Sequence, residues 1–209
     1  MSETTYQFTN NWFDTYSRQV WPPLLGQLQP QKVLEIGSYE GAGICFLIEN
    51  SSTFSTSEIH CVDTWEGGIE HQSAGMDMDI VYQRFQNNVR KAIEVTKART
   101  QVFIHRNFSD MALSALLTHH GKGYFDFIYV DGSHQAPDVL CDAVLAFRLL
   151  RVGGVLAFDD YLWAEQLDGK KDLLHCPKPA IDAFVNLYIN KLEILQTPMY
   201  QLYVQKTTD

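Results

Sequence analysis

Short apolar runs rich in β-forming residues alternate along this chain with longer segments whose apolar positions recur every three or four residues. The first run, residues 33–36, is followed by glycines at 37, 41 and 43 and then by an apolar helical stretch reaching Asn50. A second strand is expected over Glu58–Asp63 and a third over 102–104. Between them Val81, Phe85, Val89 and Ile93 fall on one helical face, with Arg84, Arg90, Lys91 and Lys97 off it. Residues 111–118 read as a helix ended by His119-His120-Gly121, and Phe125–Val130 as a fourth strand. Pro137 opens the next helix, striped by Leu140, Val144 and Phe147 and stopped at Gly153. Residues 155–158 form a fifth strand, and Ile181, Phe184, Val185 and Tyr188 mark a last helix. Leu192–Leu195 and residues 200–204 close the chain as two strands, and their short link at Thr197-Pro198 makes them antiparallel.

Strands alternating with helices mean an α/β fold: a doubly wound, mostly parallel sheet with helices on both faces and an antiparallel ending. The 209 residues fit one domain, spanning 30–209, behind an N-terminal helical cap segment, 1–29. In that segment Trp12, Phe13, Tyr16, Val20 and Trp21 form an amphipathic set suited to capping a site, packing in the core or joining subunits in a homo-oligomer. Residues 66–79 and 161–179 fit the alternation poorly. They read as loops at the carboxyl ends of their strands, the edge where open α/β sheets bind ligands.

Charge narrows the partners. A net charge of −9 argues against nucleic acid, which demands clustered lysine and arginine. No apolar run is long enough to span a membrane, and the first residues lack the basic-then-apolar pattern of a signal peptide. Cys45, Cys61, Cys141 and Cys176 sit singly and read as free thiols of a reducing, cytoplasmic setting. A small molecule is the expected partner.

The turn after the first strand is the natural place for it. Glu35-x-Gly37-x-x-x-Gly41-x-Gly43 is not a dinucleotide fingerprint, because Tyr39 stands where the second glycine belongs. An acidic residue at this strand end suits a cationic group such as an amine or sulfonium. Asp63 ends the second strand, where a carboxylate accepts ribose hydroxyls, and it serves equally well as a turn residue. Trp65 is placed to flank an adenine ring or to fill the core. Asn107-Phe108-Ser109 closes the third strand and could meet an adenine edge.

Together "VLEIGSYEGAG", "IHCVDTW", "FDFIYVDGSH" and "GGVLAFDDY", before a terminal strand pair, resemble the class I S-adenosylmethionine (SAM)-dependent methyltransferases. The resemblance is to the metal-dependent O-methyltransferase group of macrocin type and, more distantly, catechol type. It implies a seven-stranded sheet with the last strand antiparallel. It also implies that Glu35 and Gly37 face the methionine part of SAM, Asp63 the ribose and Ser109 the adenine. The cofactor set expected on this basis is Glu35, Gly37, Ser38, Tyr39, Gly41, Asp63, Thr64, Trp65, Asn107, Phe108, Ser109 and Asp131.

A second group of carboxylates lies further along. Asp131 ends the fourth strand, and Asp159 and Asp160 end the fifth. Three negative charges at one sheet edge repel unless a cation intervenes, and all-oxygen ligands favour Mg²⁺ or Mn²⁺. The resemblance agrees, implying a divalent metal on Asp131, Asp159 and Asp160. His134, three residues past Asp131, titrates near neutrality and suits proton abstraction from a hydroxyl; the resemblance implies a general base at that position. Asp131 and His134 are therefore the expected catalytic pair. The expected activity is a Mg²⁺-dependent O-methyltransferase acting on a small hydroxylated metabolite, sugar or polyketide-like. A non-catalytic SAM-binding accessory protein, or a relative with cephalosporin hydroxylase-like activity, is the alternative. Tyr39 and the antiparallel ending disfavour a nicotinamide-dependent oxidoreductase.

Overall fold

The computed structural model describes residues 6–68, 71, 75–164, 166–167, 170–198 and 200–209. Seven strands make one mixed sheet in the order β3-β2-β1-β4-β5-β9-β8. They are β1 (Lys32–Ile36), β2 (Glu58–Asp63), β3 (Gln101–Arg106), β4 (Phe125–Val130), β5 (Leu150–Phe158), β8 (Leu192–Leu195) and β9 (Leu202–Lys206). A separate two-residue ladder pairs β6 (Gln166–Leu167) with β7 (Lys170–Lys171). As expected, the last strand, β9, runs antiparallel to both of its neighbours. No helix among the described residues is long and apolar enough to cross a membrane. All four cysteines are free, with only Cys141 exposed. The chain divides into two compact units, residues 1–106 and 107–209.

The first unit carries the parallel ladder of β1, β2 and β3. Its helices are α1 (Trp12–Thr15), α2 (Ser17–Leu28), α3 (Ala42–Glu49), α4 (Ser51–Phe54) and α5 (Met78–Thr96). The apolar stripe of α5 puts Val81, Phe85 and Val89 inside, and Asp77 caps its first turn by accepting from Asp79 N–H and Ile80 N–H. The N-terminal aromatic set splits. Trp21 is fully buried, with Phe13 edge-on at 5.0 Å, whereas Trp12 stays exposed.

The second unit holds β4, β5, β8 and β9 with α6 (Ser109–His120), α7 (Ala136–Leu149) and α8 (Pro177–Tyr188). Here β5 begins at Leu150, five residues earlier than the apolar pattern suggested. Gly153, which read as a helix stop, lies with Gly154 inside the strand and lets it bend. Gly153 adopts φ 78°, and a Cβ on Gly154 would press to 2.8 Å on the Asp126 carbonyl, where the β4–β5 register shifts. Beyond the shift, Val130 pairs with Phe158. The residues that follow these two strands therefore start side by side.

A buried cation finishes α7. Lys206 Nζ donates to the Leu150 carbonyl at 2.9 Å and the Phe147 carbonyl at 3.2 Å, lies over the Phe147 ring, and reaches exposed Asp209 at 2.7 Å. Lys206 is 3% exposed, so its removal strands two carbonyls at a helix end. Lys206→Met is expected to lower unfolding free energy by about 1–3 kcal/mol in urea titration, the scale of unsatisfied buried polar groups. Asp209→Asn, which removes only the exposed partner, is expected to cost clearly less. Equal effects of the two substitutions would contradict this assignment.

Candidate functional site

In the first unit the turn after β1 is bent through left-handed backbone at Gly37 (φ 87°), Tyr39 (φ 44°) and Gly41 (φ 82°). A side chain on Gly41 would also run into the Phe85 ring at 2.9 Å. Asp63 supplies the fastening. Its Oδ2 accepts from Tyr39 N–H at 2.9 Å and its Oδ1 from Trp65 N–H at 2.7 Å, while Trp65 Nε1–H donates to the Tyr39 carbonyl at 2.9 Å. Burial raises the Asp63 pKa, and these backbone donors partly offset the rise. Asp63 is thus a turn residue whatever else it binds.

Trp65 departs from one of the roles open to it. Its left-handed backbone (φ 50°) turns the indole inward, 1% exposed, at 4.6 Å from the Tyr82 ring and 4.8 Å from Phe85. It fills the core and does not lie open to flank an adenine. Thr64, beside it, accepts from Arg106 Nε–H through its carbonyl and from Glu66 N–H through its hydroxyl.

Glu35 is the unusual group. It is 3% exposed, packed against Gly43, where any Cβ would collide with Oε1, and among the described residues its Oε2 has no hydrogen-bond partner. Burial pushes its pKa up to about 8, with the Ser38 hydroxyl opposing and the Asp63 charge adding to the rise. Ser38 itself is 4% exposed. A buried acid short of a donor beside a glycine turn fits a ligand with a cationic or N–H group, and the methionine amine of SAM is one. Sequence reasoning offered the N-terminal segment as a cap but did not single out Thr9 or Glu40, which hold this turn from outside. Thr9 N–H and Oγ1–H donate to Glu40 at 2.6 and 3.0 Å, Arg84 pairs with the same carboxylate at 2.9 Å, and Trp12 and His71 lie against the Tyr39 ring.

In the second unit Asn107 Oδ1 accepts from Phe108 N–H, Phe108 is 61% exposed, and Ser109 opens α6. The acidic corner forms where β4 and β5 end. The 131–135 turn is braced by Ser133, which donates to Asp138 at 2.8 Å and accepts from Gln135 N–H. Asp159 N–H donates to the Val130 carbonyl at 2.9 Å. His134 Nε2 meets Asp160 Oδ2 at 2.9 Å, and its ring lies 4.2 Å from that of Trp163. One donor atom each from Asp131, His134 and Asp160 falls within 4.8 Å of the others. Val139, Phe158, Pro177 and Ile181 wall the pocket around them.

Asp159 lines the same pocket. Its carboxylate accepts from Tyr129 O–H and, at 3.0 Å, from Gln201 Nε2–H. The donors brought together are Asp131, Asp160 and an imidazole. Two partly exposed carboxylates and a histidine within coordinating reach fit a divalent ion of Mg²⁺ or Mn²⁺ type. Trp163, Tyr129 and Gln201 were not singled out from the sequence. Only Gln201 left a trace, as a polar residue next to a buried strand. Parts of the loops 66–79 and 161–179 expected to shape an acceptor pocket (69–70, 72–74, 165 and 168–169) lie outside the described residues.

Comparison with known proteins places the chain in a family. A family model described as a methyltransferase domain matches residues 34–161, more than half of the chain. A probable caffeoyl-CoA O-methyltransferase 3 of Dictyostelium discoideum is 23% identical over 155 residues, 72% of this chain and 51% of that protein. The chain thus spans about half the length of this curated relative. Among solved structures, the O-methyltransferase TomG of Streptomyces achromogenes, in complex with SAM, superimposes with a TM-score of 0.57 at 16% identity, covering 88% of this chain and 77% of that one. The methyltransferase PaMTH1 of Podospora anserina, bound to SAH, gives 0.54 at 16% identity, covering 88% and 75%. CalS11, a TDP-rhamnose 3'-O-methyltransferase, gives 0.60 at 13% identity, covering 90% and 79%. These likenesses concern the fold, whereas the family match spans most of the chain: the chain belongs to the methyltransferase domain family.

Proposed function

We propose that the protein is a SAM-dependent O-methyltransferase that needs a divalent cation and methylates a hydroxyl of a small metabolite, sugar or polyketide-like, in the cytoplasm. The observation that carries this reading is the meeting of Asp131, His134 and Asp160 at the carboxyl ends of β4 and β5. Glu35, Gly37, Ser38, Tyr39 and Gly41 are assigned to the methionine part of SAM, Asp63 and Thr64 to the ribose, and Asn107, Phe108 and Ser109 to the adenine. Residues 1–29 act as a cap, held through Thr9 on Glu40.

Asp131 and Asp160 supply carboxylate oxygens for the cation, which when bound lowers the pKa of a hydroxyl beside it. Asp160 Oδ2, at 2.9 Å from His134 Nε2, orients the imidazole. The acceptor oxygen forms a bond to the methyl carbon as the carbon–sulfur bond breaks. His134 would take the hydroxyl proton, and SAM, when bound, would supply the methyl group and depart as its neutral thioether. Little covalent work falls to the protein, and its contribution is orientation and proton removal.

Two outcomes test this reading. Turnover of an accepted phenol or sugar is expected to need Mg²⁺ or Mn²⁺, and His134→Gln to lower kcat by about 10²–10⁴-fold, with the loss shrinking as pH rises. Full activity of the wild type in excess chelator, or a His134→Gln pH–rate profile matching the wild type, would overturn it.

The second outcome concerns Glu35. Its pKa of about 8 means that it is largely protonated in the free protein at pH 7, and a cationic ligand group selects the ionised form. Affinity for SAM measured by calorimetry is therefore expected to rise between about pH 6 and 7.5, by at most about tenfold per pH unit. Above that range the ligand's own amine, with pKa about 8, loses its charge. Glu35→Gln is expected to remove the rise. A wild-type affinity that stays flat over this range would contradict the assignment of Glu35.

A further inference from the structure

Asp63 is not the only group that fixes the glycine turn of the first unit. Glu40 belongs to the turn itself, between left-handed Tyr39 (φ 44°) and Gly41 (φ 82°), and is 2% exposed. A buried carboxylate needs donors, and α5 supplies one: Arg84 Nη1–H donates to Oε1 at 2.9 Å. The others come from the N-terminal segment. Thr9 Oγ1–H donates to Oε1 at 3.0 Å and Thr9 N–H to Oε2 at 2.6 Å. Among the described residues no other donor reaches Oε2.

Asn88 of α5, also 2% exposed, joins the same segment to the same turn. Its Oδ1 accepts from Gln7 N–H at 2.9 Å, and its Nδ2 donates to the Gln7 carbonyl at 3.2 Å and to the Glu40 carbonyl at 3.0 Å. One side chain thus pairs with both backbone groups of Gln7, as a neighbouring strand would, and with the turn as well. The ends of the segment are fastened too: Tyr6 O–H donates to Glu49 at 2.6 Å, and the Trp12 ring lies 5.8 Å from that of Tyr39. With the segment displaced, Glu40 Oε2 and Asn88 Oδ1 lose these partners and water has to replace them. Segment and turn therefore stabilise each other.

We propose that residues 6–12 are a latch on the cofactor turn, with Glu40 and Asn88 as the positioning residues that pass its closure on to Tyr39 and Gly41. The turn keeps its ligand-binding shape while the latch is shut, and the ligand departs when it opens. The coupling is reciprocal: a ligand held by the shut latch also holds the latch shut. The identity of that ligand rests on the assignment of this turn to SAM above; the link between latch and turn does not.

Two measurements on the full chain test it. The first is hydrogen exchange without ligand in the wild type, Thr9→Val, Thr9→Pro and Asn88→Ala. Thr9→Val loses one donor to Glu40, and Thr9→Pro loses both. The Tyr39 and Gly41 amides, bonded within the turn to Asp63 and the Ser38 carbonyl, are expected to exchange at least about tenfold faster in Thr9→Pro and Asn88→Ala, and less so in Thr9→Val. The Leu34 amide of β1 is expected to keep its rate, which separates release of the turn from general unfolding. Thr9 lies outside the core, so its variants decide the matter should Asn88→Ala fold poorly. The second measurement is S-adenosylhomocysteine binding by stopped flow. Dissociation is expected to quicken at least about tenfold in Thr9→Pro, with association within about threefold of wild type. In the wild type, saturating S-adenosylhomocysteine is expected to slow exchange of the Gln7 and Thr9 amides at least about tenfold. The inference is overturned if Thr9→Pro leaves the turn amides at their wild-type rates, or if bound S-adenosylhomocysteine leaves the Gln7 and Thr9 amides unchanged. Should the wild type bind no S-adenosylhomocysteine, the SAM assignment of the proposed function fails, and the turn amides alone decide whether the latch holds the turn.

Discussion

A carboxylate at the carboxyl end of a buried parallel strand must find donors or a cation, because burial without either disfavours its charge. This chain places acids at four such ends or just before them, and each resolves the demand differently. Asp63 takes backbone N–H groups and so ties Tyr39 to Trp65. Asp159 takes a phenol, an amide and the N–H of its own neighbour. Asp160 takes an imidazole and stands with Asp131 in an open pocket. Glu35 finds no partner for one oxygen among the described residues, and its pKa rises to about 8. Asp63 and Asp159 have donors on both carboxylate oxygens. The others are left with capacity for ligands.

Much of the fold was legible because its determinants are local. Apolar β-forming runs mark β1, β2 and β4, the spacing of Val81, Phe85 and Val89 marks α5, and a short Thr197-Pro198 link marks the antiparallel end. The start of β5 was not legible, since Gly153 reads as a helix stop whereas it lies within the strand. What separates the two is the press of Gly154 on the Asp126 carbonyl, a contact between strands that no run of residues displays.

The site shows the same division. Which strand ends carry acids can be read from the sequence, but which way each acid points is set by single dihedral angles. Asp159 and Asp160 are neighbours of one residue type, and the left-handed φ of Asp160 sends their carboxylates to different partners. Trp65 follows the same rule: its positive φ turns the indole under the glycine turn and into the Tyr82–Phe85 cluster. The groups that fix these angles, Tyr129 and Gln201 on one side and Tyr39 on the other, lie tens of residues away in sequence.

The account stands on the meeting of Asp131, His134 and Asp160 at the carboxyl ends of β4 and β5, and diffraction from crystals grown with Mn²⁺ and S-adenosylhomocysteine tests it most directly. It predicts an anomalous peak within coordinating distance of Asp131 and Asp160. A peak elsewhere, or none at this corner, would contradict it.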